Sequence, residues 1–130
     1  MIERINVGTE SRTQMVDITA EIQKAVTKAK ISDGMVTVFC PHTTAAVTIN
    51  ENCDESVQRD INETLSKIIP HHGGYAHAEG NADAHIKSAL VGSSRTLFIE
   101  KGRIKLGSWQ GVFLCEFDGP RDREIWFRFL

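Results

Sequence analysis

No Cys-x-x-Cys pair, no apolar run long enough to cross a bilayer and no block of like charge occurs in this sequence. Its three cysteines, Cys40, Cys53 and Cys115, are an odd number at wide spacing, which argues against a secreted disulfide framework and for a reducing, cytoplasmic setting. The longest apolar runs are strand-sized, such as Val112 to Cys115, far short of the ~20 residues a membrane-spanning helix needs, so no membrane partner is expected. The start, Met1-Ile2-Glu3-Arg4, lacks the charged-then-apolar profile of a signal peptide. Fifteen Lys plus Arg against seventeen Asp plus Glu leave a formal charge of -2, so no global field draws the chain onto nucleic acid. Partners have to be argued locally.

What is present is the composition of an ordinary globular protein: 130 residues, 41% hydrophobic and 25% charged, which excludes disorder, collagen and coiled coil. With no linker, repeat or low-complexity tract, residues 1–130 read as a single domain with one core.

The periodicity alternates between strand and helix. Ile2, Ile5 and Val7, then Met15, Val16 and Ile18, suggest two short strands around Gly8-Thr9-Glu10-Ser11. Ile18, Ile22, Ala25, Val26 and Ala29 recur at helical spacing until Ser32-Asp33-Gly34. Met35 to Cys40 and Ala45 to Ile49 read as two central strands around the polar loop Pro41-His42-Thr43-Thr44. Asp54 is the expected N-cap of a second helix, whose stripe of Val57, Ile61, Leu65 and Ile68 ends before Pro70.

His71 to Gly80 reads as a loop, with His71-His72 in a solvated, mobile part of it. A third helix after Asn81 runs to Gly92 and is expected to carry Ile86, Ala89 and Leu90 inward. Thr96 to Glu100, Arg103 to Leu106, Ser108 to Asp118 and Glu124 to Phe129 read as strands too closely spaced for parallel crossovers. Hairpins and a largely antiparallel sheet with about three helices follow: an α+β fold.

Three of the five histidines, His42, His77 and His85, stand in polar loop or helix-start contexts where a core role is not expected. With Asn81 as cap, His77 in the approach loop and His85 on the first turns can face one point. Neutral imidazoles there suit zinc, with a fourth position left to water or substrate. The alternative is hydrogen-bonding surface histidines, since this spacing is far less specific than His-Glu-x-x-His. The amides at the start of the same helix offer a second reading, a phosphate or carboxylate site.

Glu79, two residues from His77, is placed to act as a general base through a bound water, or simply to favour the helix N-terminus. Asn50-Glu51-Asn52 fits turn and cap chemistry or substrate binding. Arg121 beside a sheet-end turn suits a phosphate, or pairs with Asp118 or Asp122. Trp109 reads as core or interface, Cys40 and Cys115 as buried packing residues and Cys53 as an exposed thiol.

These motifs resemble the YjbQ-like family, often labelled secondary thiamine-phosphate synthase. The resemblance rests on Pro41 to Val47 with Thr48 to Asn52, on His77-Ala78-Glu79-Gly80-Asn81 with Ala84 to Lys87, on Gly102 with Leu106 to Gln110, and on Glu116 to Arg121. Cys53-Asp54-Glu55 stands where the family commonly has Ala-Asp-Pro, and Ser108 where Thr is usual. The resemblance implies a compact α+β homotrimer with a pocket near the His-Thr-Thr and His-x-Glu-Gly-Asn motifs. It also implies a divalent metal, zinc or magnesium, although no acidic Mg²⁺ motif is evident.

Carried residue by residue, His42, Thr43, Thr44, His77, Glu79, Asn81, His85 and Gln110 match the family; taken with the reading of the residues themselves, the expected metal ligands are His42, His77 and His85, and the catalytic pair is Glu79 and His77. Substrate binding falls to Thr43, Thr44, Asn52, Asn81, Lys87, Gln110 and Arg121. The implied activity joins a pyrimidine-methyl diphosphate to a thiazole phosphate and releases diphosphate, as a main or side reaction. The alternatives are a metal-dependent hydrolase of a phosphorylated small molecule, with Glu79 activating water, and a ligand-binding trimer without turnover.

Overall fold

The computed structural model describes all residues, 1–130. Two antiparallel sheets face each other across one core. The first has five strands in the order β1 (Glu3–Gly8), β8 (Asp122–Phe129), β3 (Gly34–Phe39), β5 (Ser94–Glu100), β6 (Arg103–Lys105). The second has three, β2 (Gln14–Asp17), β7 (Gln110–Glu116) and β4 (Ala45–Glu51). Three helices, α1 (Thr19–Ala29), α2 (Glu55–Ile68) and α3 (Ala82–Val91), complete the α+β domain.

Alternation builds the core. Val36 and Val38 on β3, Leu97 and Ile99 on β5, and Ile125 and Phe127 on β8 point inward, while the intervening Thr37, Phe98 and Trp126 lie on the outer face, partly or fully exposed. They meet Ala45 and Val47 of β4, Val112 and Leu114 of β7, and Ile22 and Val26 of α1. Each such aliphatic side chain contributes roughly 1.5–3 kcal/mol on burial. The other face of the three-stranded sheet carries a smaller cluster, Ala46, Ala84, Cys115 and Phe117, against which Leu65 of α2 and Val91 of α3 pack. Covered on both faces, β7 is buried at every position from Gly111 to Glu116, which is why its sequence reads as an unbroken apolar run.

The helix ends follow local chemistry. Asp54 caps α2 as expected, its Oδ1 accepting from Ser56 N at 2.9 Å. Helix α1 closes at Lys30, a left-handed C-cap with φ 57°.

Several expectations are corrected. Among the late strands only β5 and β6 form a hairpin; β7 and β8 belong to different sheets, because the turn at Gly119-Pro120-Arg121 carries the chain across the core. Strand β3 is central, but β4 is an edge strand of its sheet. The stripe of α2 is only half-buried at Val57, Ile61 and Leu65, and Ile69 is buried in place of Ile68.

The largest correction is in α3. Ile86, Ala89 and Leu90 face outward, and Asp83, Ala84, Lys87 and Ser88 face inward. Buried charge is tolerated there because Asp83 receives a two-pronged hydrogen bond from Arg12, at 3.0 and 3.1 Å, and lies 3.6 Å from Lys87 Nζ. Burial opposes ionisation of Asp83, yet Arg12 and Lys87 together hold its carboxyl below the ordinary value.

Candidate functional site

The sheet register brings the motifs together. Residue pairing sets Ala45 of β4 opposite Glu116 of β7, so the loop before β4 and the turn after β7 leave the sheet at the same end. Phe117 N donates to Thr44 O at 3.2 Å, and Thr9 N to Arg121 O at 2.9 Å, which fastens β1 and the start of β8 to the same corner. The N-terminus of α3 lies beside them. Between these segments is a cleft of about 370 Å³ with no hydrophobic residue in its lining.

An ion pair backs the cleft: Arg123 lines it, and Glu116 lies behind Arg123. Glu116, fully buried, accepts from Arg123 Nε at 2.9 Å and from Arg123 Nη2, from Thr9 Oγ1 at 2.7 Å, and from the amides of Phe117 and Asp118, both at 3.0 Å. Burial pushes its carboxyl toward protonation, but the hydrogen bonds of Arg123, Asp118 and Thr9 outweigh this and keep it below the usual value. Arg123 Nη2 also donates to Thr44 Oγ1 at 2.9 Å. His42 Nε2 lies 3.0 Å from Glu124 N, from which one tautomer accepts, and 3.2 Å from Glu124 O, to which the other donates. Burial, followed by the charge of Arg123, lowers the His42 pKa below its ordinary 6.5.

The rim is a hydrogen-bonded chain joining two sequence motifs. Asn81 Nδ2 donates to Asp118 Oδ2 at 2.9 Å, and the same oxygen receives Arg121 Nη2 at 3.1 Å. His77 Nε2 lies 3.0 Å from Asn81 Oδ1 and 3.6 Å from Glu79 Oε2. Asn81 holds the N-cap position of α3 but makes no side-chain cap bond, because both ends of its amide are engaged in this chain. His71, expected in a mobile segment, donates from Nε2 to Gly80 O at 2.8 Å and pins the loop that carries His77 and Glu79. The His77 and His85 rings stand edge to face, 5.2 Å between centroids. They border a second cavity of about 390 Å³, more apolar, lined also by Tyr75, Ala76, Ala82 and Ile86.

The cleft therefore unites His42, Thr43, Thr44, Glu79, Asn81, His85 and Arg121, with His77 on its edge. The three imidazoles do not fit a metal centre within one chain. Nowhere do three or more His, Cys, Asp or Glu side chains form a group able to hold a metal ion.

Three expected binding residues lie elsewhere. Lys87 is on the buried face of α3, 3.6 Å from Asp83 and donating to Ser66 Oγ at 3.2 Å; its side chain is 2% exposed, and burial lowers its pKa against the pull of Asp83. Gln110 pairs with Glu51 six residues along the ladder from Ala45 and Glu116, about 20 Å away at ~3.3 Å per residue. There Gln110 Oε1 accepts from Gly107 N at 2.8 Å, and Asn52 Nδ2 donates to Asp17 Oδ2 at 3.2 Å. Trp109, in the same turn, is 64% exposed and not in the core.

Arg123 and Glu116 were not singled out from the sequence as site residues. A signal was there: Arg123 shares strand parity with Ile125 and Phe127, and an inward-pointing charge requires a buried partner.

The family description "UPF0047 protein YjbQ-like" matches residues 3–130. The chain is 48% identical over 130 residues to UPF0047 protein MJ1081 of Methanocaldococcus jannaschii, covering all of this chain and 94% of that one. With UPF0047 protein YugU of Bacillus subtilis the identity is 40% over 131 residues, covering all of this chain and 99% of the relative. Among solved structures, a YjbQ/UPF0047 family protein of Clostridium acetobutylicum superposes with a TM-score of 0.97 at 50% identity, covering 98% of this chain and 99% of that one. A YbjQ-like protein of unknown function from Sulfolobus solfataricus gives 0.94 at 30% identity, covering 99% and 95%. Matched over nearly its whole length in sequence and in fold, the chain belongs to the YjbQ-like UPF0047 family.

Proposed function

We propose that the protein is a transferase of thiamine-phosphate synthase type, which joins a pyrimidine-methyl diphosphate to a thiazole phosphate. The observation that carries this reading is the mixed sign of the cleft: Arg121 and Arg123 share it with Glu79 and Asp118, and each guanidinium already has its own carboxylate. A site with many donors and little net positive charge suits a reaction that releases an anion while it forms a cation.

In that reaction the methylene C–O bond breaks, and its electron pair leaves with diphosphate. The lone pair of the thiazole nitrogen forms the new C–N bond, and the ring becomes a cation; no proton has to move. Arg121 and Arg123 stabilise the departing oxyanion, and Glu79 faces the developing positive charge. The apolar cavity beside His77 and His85 offers room for a heteroaromatic ring. No step is assigned to a metal. Assembly as a homotrimer is part of the proposal, supported by outward Ile68, Ile86 and Leu90 on α2 and α3.

The test is incubation of the purified protein with both precursors. Thiamine phosphate and diphosphate should appear in equal amounts; consumption of neither precursor would sink the reading. One observation favours a hydrolase as second reading, the exposed Glu79 carboxylate 3.6 Å from His77 Nε2, a pair able to take a proton from water. Phosphate release from a single ester, independent of the second precursor, would identify it.

A further inference from the structure

We propose that the cleft has a fixed polarity, with its inner end an oxyanion site built from Arg123 Nη1 and the Thr44 hydroxyl and its carboxylates confined to the rim. This deepens the transferase reading, on which the assignment of that oxyanion to the diphosphate rests.

The argument is a donor inventory. Arg123 is 4% exposed, and its Nε and Nη2 are used by Glu116 and Thr44, but its Nη1 has no protein partner. Nor is that atom sealed off, since Trp126 Nε1 is the sole enclosed side-chain polar atom left unpaired in the chain; the cleft is the cavity Arg123 lines, and Nη1 is assigned to it. A buried guanidinium with one free amino group is poised to donate two further hydrogen bonds.

Thr44, 6% exposed, accepts from Arg123 at Oγ1 and makes no donation of its own, so its hydroxyl proton is also free. Glu116, the nearest carboxylate, has its oxygens filled by five donors and competes for neither group. The inner end therefore offers free donors and no free carboxylate, the complement of a phosphoryl group. Thr9, through Glu116, is a positioning residue that fixes the fork of Arg123.

Isothermal titration with inorganic diphosphate tests this. The wild type should bind, and Thr44→Val should weaken binding by about tenfold, the scale of a hydrogen bond to a charged group, while Thr44→Ser restores it. Arg123→Lys keeps a charge opposite Glu116 and removes Nη1, and should weaken binding at least as much. Because the buried pair makes Arg123→Lys a risk to folding, the Thr44 pair suffices alone. Absence of diphosphate binding by the wild type, or wild-type affinity in folded Thr44→Val, would overturn the proposal. Binding with this pattern but no transfer would refute the transferase reading and leave the oxyanion site standing; transfer at full rate and affinity in Thr44→Val would do the reverse.

Discussion

Asn81 Nδ2 donates to Asp118 Oδ2 at 2.9 Å across 37 residues of chain, while Asn81 Oδ1 lies 3.0 Å from His77 Nε2. One side chain thus sets the distance between the loop that carries Glu79 and the turn that carries Arg121. Asn81→Leu should retain α3, whose backbone bonds start from the Asn81 carbonyl, and should lose roughly 1 kcal/mol of stability per hydrogen bond removed. Turnover of the folded variant should fall too, because catalytic groups displaced by about 1 Å can lose ~10²-fold in rate. Chemical denaturation beside product formation checks both; unchanged turnover would show that the link is dispensable.

Glu79 has no hydrogen-bond partner, and its side chain is 76% exposed, so Glu79→Gln should leave the fold and diphosphate affinity intact. Turnover should drop ~10²-fold or more, the usual scale for losing an electrostatic or acid-base group at a reacting centre. Both roles need the ionised carboxylate, so a solvent deuterium isotope effect on turnover separates them: a base moves a proton in the transition state and shows one, whereas a purely electrostatic carboxylate does not. Full rate in Glu79→Gln would reduce it to a charge near the helix start.

The pKa shifts predict loss of stability on the acid side. Glu116 and Asp83 both have folded values below their ordinary 4.5 and 3.8, so their stabilisation is full above those values. As pH falls below them the unfolded chain takes up protons first, and the contribution disappears as the folded values are passed. His42 acts in the same sense, since burial keeps it neutral in the fold to below its ordinary 6.5. Thermal melting from pH 7 to pH 3 should show the midpoint falling, first gently and then steeply below about pH 4.5. An NMR titration of His42 with a midpoint above 6.5 would contradict its placement against Glu124 N.

Assembly is checked by mass. Ile68, Ile86 and Leu90 are 68%, 43% and 65% exposed, aliphatic surface on α2 and α3 that assembly would cover. Light scattering at micromolar concentration should give three times the subunit mass, and Leu90→Glu should lower it. A monomer in the wild type would remove homotrimer formation from the proposal.

The sequence by itself determined the elements and the membership of most of the site. Hydrophobic period and capping residues are local, so α1, α2 and the strands could be read with ends shifted by only a few residues, as could the clustering of His42, Thr43, Thr44, Glu79, Asn81 and Arg121 through their motifs. Tertiary structure alone decided which face each element turns inward and which motif meets which. Lys87 looks solvent-facing until the buried carboxylate of Asp83 is seen beside it, and that burial turns Ile86 and Leu90 outward. Gln110 and Asn52 lie in motifs like the others, yet antiparallel register sends them to the far end of β4 and β7, because each paired residue adds ~3.3 Å of separation. Arg123 becomes a site residue only when Glu116, on a strand of the other sheet, meets it across the core.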